Sequence, residues 1–238
     1  MPAASHPAPR EVNEYTEAMA ATRRSKRRVF LLSPARSDGE RAEMLLSPRA
    51  TFPLACRLRE ETGAPLGEVM SFCSGLYFRG KLTYAETFAR PPADTSGVLV
   101  ITSDSGLQPP SLPLTAAAMR RAAGIDIHAA NRRYREPLEA SARALAARLR
   151  PADEVVLLGS IASAKYVDVL LAIFGARLLF PLDFVGRGDM SRGGLLLRCA
   201  RARTELTYGP VLGAVRSGPR PPKLEPLRRP ILLLPGQA

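Results

Sequence analysis

Five short apolar runs constrain the chain more than any other feature: residues 29–32, 68–73, 97–102, 154–159 and 177–182. Each closes on a polar or glycine-rich break. Runs this short and continuous read as strands buried on both faces. Between several of them, apolar residues recur three or four positions apart, as in Leu54/Leu58, Leu138/Ala142/Leu145/Leu149 and Val167/Leu170/Leu171/Phe174. That spacing predicts helices with one buried face. Thr51 caps a first helix with Pro53 in its first turn and Gly63 at its end. Others follow over 82–89, 115–123, 135–148 and from Ser160 to Gly175. Strands alternating with helices call for an α/β fold: a mainly parallel, Rossmann-like sheet flanked by helices. Near the C-terminus, 195–201 and 206–211 joined by the polar turn 202–205 read as a β-hairpin.

Parallel strands end on one edge of their sheet, and ligands of such sheets bind beyond that edge. The five ends fall at 33–36, 74–81, 102–106, 159–160 and 183–194, all polar or glycine-rich. The last holds Gly186, Gly188, Gly193 and Gly194 around Arg187 and Arg192, which reads as an anion-binding loop with forked donors. Its alternative is a polar turn. Gly159 and Ser160, before a helix, offer backbone N–H groups to an anion, without the spacing of a Walker or dinucleotide fingerprint. The ligand-binding candidates are therefore Ser33, Arg36, Arg79, Lys81, Ser103, Gly106, Gly159, Ser160, Lys165, Arg187 and Arg192. Asp104, Asp183 and Asp189 are the candidate catalytic acids and bases. Tyr77 and Phe78 either stack on a base or pack into the core. The geometry predicts that Asp183, Arg187, Asp189 and Arg192 share one cleft with 103–106 and 159–160. Exposed arginines there would bind ligand and leave stability unchanged.

The formal net charge of +12 invites a polyanionic partner, a nucleotide or a nucleic-acid backbone. Much of that excess lies at the ends: residues 1–28 carry +3 and 212–238 carry +4. Both ends read as flexible basic tails around a domain over 29–211, the second rich in proline, with a short helix over 11–21 in the first and an apolar patch at 231–234 in the second. Three isolated cysteines fit a reducing compartment, and two histidines give no zinc-ligand spacing. No run approaches the roughly 18 apolar residues of a membrane span, and no secretory core is visible, so the expected location is the cytoplasm. No cofactor is implied. Three functions follow: nucleotide or nucleic-acid-backbone binding, an enzyme acting on a nucleoside or small phosphorylated substrate, and a non-catalytic interaction module using the proline-rich tail.

The segments Phe30-Leu31-Leu32-Ser33-Pro34, the run from Val100 to Pro109, and the fourth strand followed by 181–186 together resemble a group of small Rossmann-like bacterial proteins of unassigned function. That group is distantly similar to the uracil-DNA-glycosylase-like domain of archaeosine-synthesis enzymes. The resemblance spans about residues 29–194. It implies a Rossmann-like fold and a nucleic-acid or nucleotide ligand. Glycosylase activity is not implied, because the Asp-Pro and His-Pro-Ser motifs of uracil glycosylases are missing.

Overall fold

The alternation along the first strand, β1 (Arg28–Leu32), sets the architecture. Successive side chains point to opposite faces, yet all five residues are buried. Val29 and Leu31 enter one core and Phe30 and Leu32 another. The sheet must therefore be covered on both sides. The computed structural model describes residues 26–35, 39–162 and 164–224. Arg36, the expected helix over 11–21 and the apolar patch at 231–234 lie outside them.

After β1 come α1 (Glu40–Leu46), α2 (Pro53–Arg59), β2 (Ala64–Pro65), α3 (Leu66–Ser74) and α4 (Leu76–Phe88). Then follow β3 (Val98–Ile101), β4 (Leu107–Gln108), β5 (Pro113–Leu114), α5 (Ala116–Ala123) and α6 (Arg132–Arg148). The chain continues through β6 (Glu154–Leu158), α7 (Ala164–Phe174), β7 (Leu178–Pro181), α8 (Asp189–Ala202) and β8 (Tyr208–Pro210). The main sheet has the order β4-β3-β1-β6-β7-β8. Its four central strands are parallel, and β4 and β8 pair antiparallel at the two edges. β2 and β5 form a small separate ladder.

One core packs α6 and α7 through Leu138, Leu145, Val167 and Leu170 against Val29, Leu31, Val155 and Leu157. The other packs α4 and α8 through Phe78, Tyr84 and Leu196 against Phe30, Leu32, Val156 and Leu158. A satellite cluster of Leu45, Leu58, Val69 and Met119 ties α1, α2, α3 and α5 together. From β1 the chain winds outward to β3, then returns past β1 to β6. This reversal leaves a crevice beyond the ends of β1 and β6, where doubly wound sheets bind ligands.

The α/β fold with a mostly parallel sheet flanked by helices is as the sequence predicts. Four segments differ. Residues 76–81, expected in a strand-end loop, open α4, and residues 189–194, expected in an anion-binding loop, open α8. Residues 68–73 belong to α3, because Leu66, Val69 and Met70 bury a helical face. Residues 195–201 lie in α8, where Gly193, Leu196 and Ala200 are buried at spacings of three and four. The C-terminal antiparallel pair exists, but β8 takes β7 as its partner. Among the described residues no helix is long and apolar enough to cross a membrane.

Candidate active site

A cleft of about 850 Å³ opens at the crevice between β1 and β6. Its floor is the β1 exit at Ser33 and the β6 exit at Ser160, and Tyr77 of α4, Tyr166 of α7 and Asp189 of α8 stand around it. The far wall is the loop after α5, which contributes Ile125, Asp126 and Ile127.

Behind Ser33 lies Lys81. Its side chain comes from α4, one turn after Tyr77, and the residue is 1% exposed. The Nζ atom is 2.6 Å from the Ser33 carbonyl oxygen, to which it donates, and 2.9 Å from Ser33 Oγ. The rings of Tyr77 and Phe78 pack on Nζ at 4.5 and 4.8 Å. No carboxylate reaches ion-pair distance of Lys81 among the described residues. An ammonium buried this way is costly. Burial lowers its pKa from 10.5 to about 7, with Asp189 opposing the shift and Arg192 adding to it. At neutral pH a large fraction is therefore free amine, with two hydrogens to donate and a lone pair to accept the Ser33 hydroxyl proton.

Gly159 leaves room for Ser33 and Tyr166. A Cβ there would lie 2.8 Å from Ser33 Cβ and 2.9 Å from the Tyr166 oxygen. Tyr166 donates to the Ser160 carbonyl at 3.0 Å. Burial pushes its phenol up, opposed by the neighbouring Ser33 hydroxyl and the Ser160 backbone. Tyr77 is 6% exposed, and its hydroxyl is buried with no hydrogen-bond partner among the described residues. Burial also drives that phenol well above the usual tyrosine range, the Arg192 charge opposing it. Cys73 lines the cleft too, but burial raises its thiol to about 11, so it stays protonated at neutral pH.

The structure separates the sequence candidates into three groups. Ser33, Ser160, Lys165 and Asp189 line the cleft, with Lys81 and Gly159 directly behind it. A second group holds the rim in place. Ser103 donates to the Ala122 carbonyl at 2.7 Å, which fixes the end of α5 before the wall loop. Gly106, at φ +69°, packs against α6, where a Cβ would meet the Pro137 carbonyl oxygen at 2.3 Å. Arg192 donates through Nε and Nη2 to the Phe184 carbonyl at 3.2 and 2.9 Å, and its Nη1 pairs with Asp189 at 3.5 Å. Arg187 donates to the Asp183 carbonyl at 3.0 Å and, at 3.5 Å, to that of Pro222. Both arginines contact the backbone at the entry to α8. The third group, Arg79, Asp104 and Asp183, is not part of the cleft lining: Arg79 and Asp183 are exposed and Asp104 is half-buried.

Sequence reasoning missed the pairing of Ser33 with Lys81, 48 positions apart. It also missed Tyr166, Asp126 and the buried Tyr77 hydroxyl. One signal was present. Tyr77 and Lys81 stand four apart in what proves to be a helix, so they share a face.

A second cleft of about 820 Å³ lies at the opposite edge, beside Arg28, Glu154 and Glu205. Its charges are spent on one another. Arg28 binds Glu154 at 2.5 Å and also Glu205, and Arg90 reaches Glu205 at 3.0 Å. That cluster reads as a structural clamp. No protein-family model matches the chain, and neither the curated proteins nor the solved structures contain a match.

Proposed function

We propose that this protein is an enzyme acting on a small, nucleoside-sized substrate held in the cleft between the ends of β1 and β6. The carrying observation is the Lys81 amine, buried with no carboxylate at ion-pair distance among the described residues and held on a serine that faces the cleft. A lysine neutralised by burial is a general base poised near neutral pH. The cleft volume lies within the range of small-molecule sites. Pro34, Ala35, Ile125 and Ile127 offer apolar surface to a ring, Asp126 and Asp189 offer acceptors to hydroxyl or amino groups, and Lys165 brings a cation.

Binding of a nucleic-acid backbone is the weaker reading. It retains the net charge of +12 in its favour. Of the cations on which it leaned (Arg36, Arg79, Lys81, Arg187, Arg192 and the basic tails), Arg187 and Arg192 are engaged with main-chain carbonyls and Lys81 is buried. A thermal-shift screen of nucleosides, nucleotides and their esters decides between the readings. A ligand present at a hundred times its Kd stabilises by about 2.7 kcal/mol, and Asp126→Asn with Asp189→Asn should shrink that shift. If no small molecule moves the melting temperature while oligonucleotides bind with a steep salt dependence, the enzyme reading is wrong.

A further inference from the structure

We propose that Ser33 is an acyl-accepting nucleophile, Lys81 its base and Tyr77 a donor to the developing oxyanion, and that the substrates are carboxylic esters or thioesters. The inference rests on the reading of the cleft as a small-substrate site.

The geometry selects Ser33. It lines the cleft, and it is the hydroxyl that lies 2.9 Å from the buried amine. The other nucleophiles lining the cleft are less suited. The Cys73 thiol is held protonated by burial. The Ser160 carbonyl accepts from Tyr166. A serine is activated by an adjacent base, and lysine fills that role once it loses its charge. The Lys81 amine is anchored by its donation to the Ser33 carbonyl, so its lone pair is directed by the residue that it would deprotonate.

Tyr77 supplies the second, independent observation. Its hydroxyl is buried, has no acceptor to donate to among the described residues, and belongs to a side chain lining the same cleft. Leaving such a donor unsatisfied is unfavourable. A substrate oxygen would satisfy it, and stabilising developing charge is the strongest use of a preorganised donor. An acyl centre suits a serine nucleophile served by a lysine base; among the charged groups lining the cleft, Asp126 and Asp189 disfavour a group already negative and Lys165 favours one.

In the step proposed, Ser33 Oγ bonds to the carbonyl carbon while its proton passes to Lys81 Nζ. The carbonyl electron pair moves onto oxygen, facing the Tyr77 hydroxyl. As the pair returns, the bond to the leaving alcohol or thiol breaks, and the Lys81 ammonium gives that group its proton. Water then attacks the Ser33 ester. Lys81 takes the water proton and returns it to Ser33 Oγ as the carboxylic acid departs. The sum is ester plus water giving acid plus alcohol, with no redox change.

The experiment treats the full chain with a fluorophosphonate probe and, separately, with p-nitrophenyl acetate and butyrate. Adducts are located by peptide mass spectrometry. The expected result is one adduct on the peptide bearing Ser33, formed at a rate that rises with pH through a single midpoint near 7. Ser33→Ala should abolish it. Lys81→Met should slow it at least about 100-fold and flatten the pH profile. Tyr77→Phe should slow acylation about 10-fold or more while leaving the midpoint in place. Because Lys81→Met could fold poorly, the pH profile of the unaltered protein stands as a separate measurement. An absent adduct, an adduct unaffected by Ser33→Ala, or a rate independent of pH overturns the proposal. Small-molecule binding without any Ser33 adduct leaves the cleft reading intact and removes only the nucleophile. Absence of both removes the cleft reading as well.

Discussion

At the scale of single residues, Lys81 couples the site to stability. In the unfolded chain it keeps its proton to about pH 10.5, and in the folded chain only to about 7. Between those values the unfolded state binds more protons, so stability should climb as pH rises through that window and level off below it. Burial raises the phenols of Tyr77, Tyr134 and Tyr208, so the climb should reverse at higher pH, where the unfolded tyrosines ionise first. The check is the urea midpoint of the native protein and of Lys81→Met at pH 6, 8 and 9.5. The native protein should gain stability across the series relative to the variant. Parallel curves would show that Lys81 is charged in the fold, and its role as a base would go with them.

At the scale of elements, the contact between α4 and α8 fixes where the site residues stand. The two helices meet at Gly80 and Gly193: a Cβ on Gly80 would sit 2.6 Å from the Gly193 carbonyl oxygen, and one on Gly193 would sit 2.8 Å from Leu76 and Tyr77 backbone atoms. Gly193→Ala should destabilise by about 1–3 kcal/mol, as overpacking does. It should also displace Tyr77, which denaturant titration and the rate of Ser33 labelling would report. A variant as stable and as reactive as the parent would refute the close crossing. This element also shows what the sequence could reveal. Runs 29–32, 97–102, 154–159 and 177–182 were legible as strands because burial on both faces leaves unbroken apolar character. Run 68–73 is also short and mostly apolar, but Leu66, Val69 and Met70 bury one helical face, and a short window cannot separate the two. Four glycines around two arginines suggested a loop, while two of those glycines serve a helix crossing or lie beside it. Ser33, Lys81 and Gly159 were singled out individually because strand ends attract attention. Their contact depends on tertiary packing, which spacing in the sequence does not encode.

At the scale of the whole molecule, residues 216–224 lie along the outer face of the domain. Arg216 reaches Asp168 at 3.7 Å, Arg187 reaches the Pro222 carbonyl, and the Pro219 carbonyl packs so closely on Gly186 that a Cβ there would be 2.1 Å away. Deleting 216–238 should cost on the order of 1–2 kcal/mol from the lost polar contacts, read as a lower melting temperature. Ser33 labelling should persist, since none of the described residues 216–224 lines the cleft. Loss of labelling at unchanged stability would assign the segment to the chemistry instead. The sheet edges bear on how this protein meets others. One edge is β4, only two residues long and followed by Pro109 and Pro110; the other is β8, three residues long and ending in Pro210. Proline has no N–H to share, and an edge this short presents few open groups to an incoming strand. Among the described residues, strand addition to this sheet, whether by a binding peptide or by a second copy growing toward a fibre, finds few open groups to pair with.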